Sequence, residues 1–169
     1  MLEESRLHVS GWNLATTLDG AWIRTIYHPL GRQLGFVRFA GTARPAWFSW
    51  LRGLRLDVYE TDDASHLMTL LRPWGMFRMW DVYDADEQCI GSIYPPSLVD
   101  SDGERRGYLD LRDGGDGSIL DQSRQVIATF RAANLTTLEV TFTADPEGNP
   151  FLRMLLLAGI LVQDPSPPR

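Results

Sequence analysis

Residues 149–164 read NPFLRMLLLAGILVQD, and what this stretch is decides what the rest of the chain must be. Asn149 is a good N-cap, because its side-chain oxygen can take the free amides of a first helical turn. Pro150 suits the first helical position, where no amide is needed. From Phe151 to Val162 nearly every residue is apolar, with Phe151, Leu152, Met154, Leu155, Leu156, Leu157, Ile160 and Leu161 spread over all faces of the expected helix. A helix apolar all round must be buried all round, in lipid or in protein. Length separates the two. A helix over residues 150–163 spans roughly 20 Å at about 1.5 Å per residue. A bilayer core is about 30 Å thick and takes about 20 apolar residues. Asp145, Glu147 and Gly148 upstream, and Gln163, Asp164 and prolines downstream, prevent extension. The stretch therefore reads as a protein-buried core helix and not as a transmembrane span. Arg153, near its start, is expected to reach water at the end of whatever encloses the helix.

The enclosure must be built of strands, since no partner helix is visible upstream. TTLEVTF (136–142) sets Leu138, Val140 and Phe142 on one face and Thr137, Glu139 and Thr141 on the other. This period of two marks a strand buried on one side. RLDVYE (55–60) alternates in the same way, with Leu56 and Val58 against Arg55, Asp57 and Tyr59. A weak repeat links WNLATTLDGAWIRTI, MWDVYDADEQCIGSI and GYLDLRDGGDGSIL: an aromatic-apolar strand, an acidic or glycine turn, and an apolar return. Asp19-Gly20 and the Asp113–Gly117 run supply turn chemistry, because Gly and Asp tolerate positive φ. Strands are expected near 7–13, 21–27, 34–40, 54–60, 65–72, 77–84, 88–94, 106–112, 117–121, 124–131 and 136–143. The fold class that follows is mainly β: a closed antiparallel barrel of about twelve strands around a central hydrophobic C-terminal α-helix, which also removes exposed sheet edges. One domain is expected over 1–164, with a flexible tail at 165–169 where Pro and Ser dominate.

Composition narrows the function. The 169 residues include no lysine, and all 16 basic residues are arginine. Residues 1–56 hold seven Arg and three acids, net +4, while residues 57–169 hold nine Arg and nineteen acids, net −10. Such a balance argues against a nucleic-acid partner. The single cysteine, Cys89, excludes an internal disulfide framework and a cysteine-based zinc site. In its apolar run QCIGSI it is expected to be a buried, inert thiol. The opening MLEESRLHVS lacks a secretory pattern, so a cytoplasmic protein is expected.

The segment LRLDVYETDDASHLMTLLRPWGMFRMWDVYDADEQCIGSI, followed by the terminal apolar helix, resembles the phospholipid scramblase and LURP-one-related proteins of the Tubby C-terminal superfamily. The carried features are a strand ending in Leu71-Arg72-Pro73, a hairpin bearing Val82, Asp84, Ile90, Gly91 and Ile93, and the final helix; together they cover about residues 50–164. The resemblance implies a barrel of about twelve strands around that helix. It also implies membrane-associated roles, phosphoinositide binding or calcium-linked lipid movement. The chain departs from scramblases in having one cysteine where they carry a cysteine-rich stretch, and only Asp145 and Glu147 just before the helix.

The sharpest local feature lies in residues 31–55. Six Arg and no acid occur between Asp19 and Asp57, and Trp47 and Trp50 stand among Arg44, Arg52 and Arg55. These five residues are the candidate contact with anionic lipid, arginine on phosphate and tryptophan at the interface. The alternative is a connecting segment that packs its tryptophans on the barrel. DADEQ (84–88) and DSDGE (100–104) have calcium-like spacing but lack the remaining ligands, and read as solvated turns. His8, His28 and His66 are scattered, so no metal site or cofactor is expected. No nucleophile elbow, phosphate loop or zinc-protease motif is present. The expected function is a non-enzymatic binding or scaffold module that contacts an anionic membrane surface peripherally. A protein-interaction barrel, or a small-ligand or enzymatic pocket at the barrel mouth, are the alternatives.

Overall fold

Alternating apolar residues become strands wherever a turn lets the chain reverse. The computed structural model describes residues 1–11, 17–18, 21–39, 54–61, 64–73, 79–112, 115–134, 136–143 and 149–163. Within them lie β1 (Arg6–Ser10), β2 (Thr17–Leu18), β3 (Ala21–Tyr27), β4 (Gln33–Phe39), β5 (Leu54–Glu60), β6 (His66–Arg72) and β7 (Trp80–Asp84). There follow β8 (Cys89–Tyr94), β9 (Ser97–Asp100), β10 (Arg105–Leu111), β11 (Gly117–Leu120), β12 (Val126–Asn134) and β13 (Thr137–Phe142), and then the helix α1 (Pro150–Leu161). The strands expected from sequence are present within a few residues. Two more appear: the two-residue β2, and β9, which returns from β8 through a turn at the cis-linked Pro95-Pro96.

Successive strands from β3 to β13 pair antiparallel, each with the next. The ring closes because β1 pairs on one side with β13, Val9 opposite Leu138, and on the other with β3, Val9 opposite Ile26. The result is a closed twelve-strand antiparallel barrel, with β2 a short addition on β3. Inward residues follow the alternation: Val9, Ile26, Val37, Val58, Met68, Leu70, Val82, Ile93, Leu98, Ile119 and Val140 are each 0% exposed.

The helix fills the lumen. Residues Met154–Leu161 are all buried, as the all-round apolar pattern requires. Asn149 caps the helix, its Oδ1 accepting from the amides of Phe151 (3.0 Å) and Leu152 (3.3 Å). At the other end Arg24 of β3 points inward, donates to the Leu161 carbonyl at 2.8 Å and lies over the Phe39 ring. A guanidinium there complements the negative end of the helix dipole. Arg153 is half-buried; it donates to the Leu2 carbonyl and lies over the Phe142 ring.

The helix approaches closest to β7–β10, and two glycines permit it. A Cβ on Gly91 would collide with the Val99 carbonyl oxygen and press on Leu155, and one on Gly159 would meet Leu98 at 2.8 Å. Phe151 departs from the expected burial. The first helical turn emerges at the barrel mouth, and Phe151 is 48% exposed there. The 165–169 tail lies outside the described residues.

Leu156→Ala should cost about 2–5 kcal/mol, because the ring cannot collapse into the space left. Gly91→Ala should cost at least as much, since the obstacle is backbone. Urea denaturation followed by tryptophan fluorescence measures both, and a loss under 1 kcal/mol for each would be inconsistent with a helix gripped by a closed ring.

Candidate functional site

Three hairpins at the helix N-terminal end of the barrel share one turn design. In each, an aspartate at the strand end accepts backbone amides further along the loop. Asp84 Oδ1 takes Asp86 N (3.0 Å) and Gln88 N (2.8 Å). Asp100 Oδ1 takes Asp102 N (3.0 Å) and Glu104 N (2.9 Å). Asp121 Oδ1 takes Gln125 N (2.8 Å). The residue three positions on is left-handed each time: Glu87 at φ 60°, Gly103 at φ 82° and Arg124 at φ 63°. DADEQ and DSDGE form the expected turns, while Asp84, at 9% exposed, is more covered than a solvated turn residue. The third copy, DQSRQ, has no second acid to draw attention to it in the sequence.

These loops and the start of α1 line an open cavity of about 720 Å³. Its floor is apolar: Phe151, Leu152 and Leu155 from the helix, with Ile90 and Ile127 from the strands. Its charged lining is Asp84, Asp100, Asp102 and Asp121 against Arg105 and Arg106. Arg106 is committed, with Nε 2.6 Å from Asp100 Oδ2 and Nη2 2.9 Å from Glu104 Oε2. Burial pushes the Asp100 carboxyl up, but the Arg106 guanidinium and the amides of Glu104 and Asp102 outweigh it and hold the group below the ordinary carboxylate range.

Cys89 also lines this cavity and is exposed, which corrects the expectation of a buried thiol. It is the first residue of β8, on the rim; the apolar run that suggested burial, Ile90-Gly91, begins one residue later.

The expected lipid contact is only partly visible. Arg44, Trp47, Trp50 and Arg52 lie outside the described residues. Arg55 does not stand free, because its Nε bonds Asp57 Oδ1 at 2.8 Å. Asp57 belongs to a polar cluster on the outer face of β5 and β6 that the sequence did not reveal. Its Oδ1 also accepts from the Thr69 hydroxyl at 2.8 Å, and Thr69 Oγ1 lies 2.9 Å from His66 Nε2. Thr69 is 6% exposed, and this network ties the two strands together. His28 bonds its own turn and lies 3.4 Å from Glu4, far from His66 in the strand order. Among the described residues no group of three metal-ligating side chains comes together, and no helix is long and apolar enough to cross a membrane.

Comparison with family models, curated proteins and solved structures finds no match for this chain. What the structure defines is a class by architecture: a closed antiparallel β-barrel plugged by its own C-terminal helix, with a charged, apolar-floored cavity at one mouth.

Two outcomes follow. Iodoacetamide should alkylate Cys89 in the native protein without denaturant; alkylation only on unfolding would return the thiol to the interior. The second concerns acid. A carboxyl whose folded pKa is lowered binds fewer protons than in the unfolded chain, so its stabilisation is present above the unfolded value and lost as pH falls through the folded one. Stability should therefore decline as pH drops below about 4. Asp100→Asn, which keeps the Oδ1 acceptor, should flatten part of that decline in acid titrations followed by circular dichroism. Superimposable wild-type and variant curves would show that Asp100 contributes nothing to it.

Proposed function

We propose that the protein is a non-enzymatic binding module whose ligand seat is the cavity at the barrel mouth, and that the ligand is a small amphipathic molecule. The observation that carries this reading is the pairing of surfaces at one place: Phe151, Leu152 and Leu155 form an apolar floor, and charged side chains from three hairpins form the rim. A volume of about 720 Å³ is within the usual range of small-molecule sites. Phe151 supports it further, being a large apolar residue left half-exposed at the start of a helix whose residues Met154–Leu161 are buried.

The test uses Cys89 as a reporter on the rim. Single-chain amphiphiles from hexyl to decyl, with ammonium, carboxylate and hydroxyl heads and below their micelle concentrations, should slow alkylation of Cys89 by iodoacetamide. Phe151→Ser should remove that protection while leaving the barrel folded. Unchanged rates across the whole set would defeat the reading.

A second reading rests on the arginine- and tryptophan-rich stretch and on the resemblance to scramblase and LURP-one-related proteins: contact with an anionic phospholipid surface, in a cytoplasmic, membrane-peripheral setting. Strand alternation places Phe39 and Leu54, which flank that stretch, at the barrel end opposite the mouth cavity, so the two readings can be tested independently. Vesicles with anionic lipid should retain the protein better than neutral ones, and Arg52→Glu with Arg55→Glu should abolish the difference. Equal retention would exclude lipid contact, and failure of both tests would leave a protein-interaction barrel.

A further inference from the structure

We infer that the mouth cavity selects a ligand with a positively charged head, an organic cation of the alkylammonium type carrying an apolar chain. This rests on the mouth being a ligand seat and adds the sign of the charge it takes. Four carboxylates and two guanidiniums line the cavity, for a net charge of −2. The excess does not depend on Arg106, which is already held by Asp100 and by Glu104, at 2.6 and 2.9 Å. Setting the Arg106–Asp100 pair aside leaves Asp84, Asp102 and Asp121 with Arg105 in the lining, still a net charge of −2.

Asp84 is the telling group. It is 9% exposed and lines the cavity. Both of its hydrogen bonds fall on Oδ1, from Asp86 N and Gln88 N. Its other oxygen, Oδ2, has no hydrogen-bond partner among the described residues. Asp84 is part of the cavity lining, so this oxygen is available to a ligand cation there, and beside the apolar walls the attraction is screened less than in bulk water.

The helix N-terminus opposes this preference, because it presents the equivalent of about half a positive charge to the mouth. That effect is partly answered inside the protein: Asn149 already takes the amides of Phe151 and Leu152. The half-exposed Phe151 ring adds to the preference for a cation, whose attraction to an aromatic face is electrostatic and survives contact with an alkylated head group. An apolar chain on that cation would lie along Leu152 and Ile127.

The experiment compares octylammonium, octan-1-ol and octanoate by protection of Cys89 from iodoacetamide, an uncharged reagent whose approach the probe charge does not bias. Octylammonium should bind about tenfold more tightly than octan-1-ol, octanoate should bind most weakly, and added salt should narrow the gap. Asp84→Asn keeps the Oδ1 acceptor and hence the turn, so it should fold. It should weaken octylammonium about five- to tenfold and leave octan-1-ol unchanged. Arg105→Gln should act in the opposite direction. Octan-1-ol or octanoate protecting as well as octylammonium, or Asp84→Asn without effect on it, would overturn the charge preference while leaving the seat in place. No protection by any of the three would overturn the seat as well.

Discussion

The whole structure depends on hiding a helix that has no polar face. An ordinary amphipathic helix can lie on an open sheet with one stripe buried and the rest in water. Here Leu155, Leu156, Leu157 and Ile160 point in different directions and are 0–1% exposed, so apolar surface must meet the helix from every side. Only a sheet closed on itself supplies that. Closure in turn makes β1 pivotal. It is five residues long, yet it joins the last strand to the third and thereby completes the ring. The close approach at Gly91 and Gly159 follows from the same demand, since a void between helix and wall would forfeit contacts that the packed interior otherwise makes.

Filling the lumen has a consequence for function. A barrel of this size without a plug would offer its interior to a ligand. With the plug in place, recognition moves to the ends, where the helix emerges and the hairpins overhang it. The floor of the mouth cavity is thus the exposed start of the same apolar helix whose remainder is core. Phe151 and Leu155 lie one helical turn apart along the same face and both line the cavity, the first 48% exposed and the second 1% exposed. One sequence feature gives both the stability of the fold and the apolar surface of the candidate site.

Much of this was legible in the residues because burial imposes periodicity. The helix was readable from Asn149, Pro150 and the unbroken apolar run, and TTLEVTF and RLDVYE gave their inward faces directly. β9 was harder: in SLVD only Leu98 is buried, and the preceding prolines read as a loop. The site was less legible for a different reason. Asp84, Asp100 and Asp121 converge only because successive hairpins bring distant turns to one end, and nothing local in DQSRQ says that Asp121 will stand near Asp84. Cys89 failed the same way, since one residue separates the rim from the buried run. Arg55 looked free because its partner Asp57, two residues on, reads as a solvent-facing position of an alternating strand; in fact it is covered by Arg55 and Thr69. Pattern reports which face a residue takes, not what its neighbours from other strands do to that face.

The charge asymmetry along the chain acquires a direction in space from the same topology. The acidic excess after residue 57 includes the aspartates of the β7–β8, β9–β10 and β11–β12 turns, and every one of these turns lies at the helix N-terminal end. Arg24, from the basic first third, reaches the last carbonyl of the helix at the other end. Negative charge near the positive end of a helix and positive charge at its negative end both stabilise it. In a plugged barrel this effect is weakly screened, because the helix flanks are sealed from water. The acidic mouth therefore has a structural reason to exist before any ligand arrives. Its charges outnumber what the dipole requires, and the helix end offers only about half a charge to balance them. The carboxylates of the mouth lining still exceed its guanidiniums by two, and it is this excess that favours a cation there.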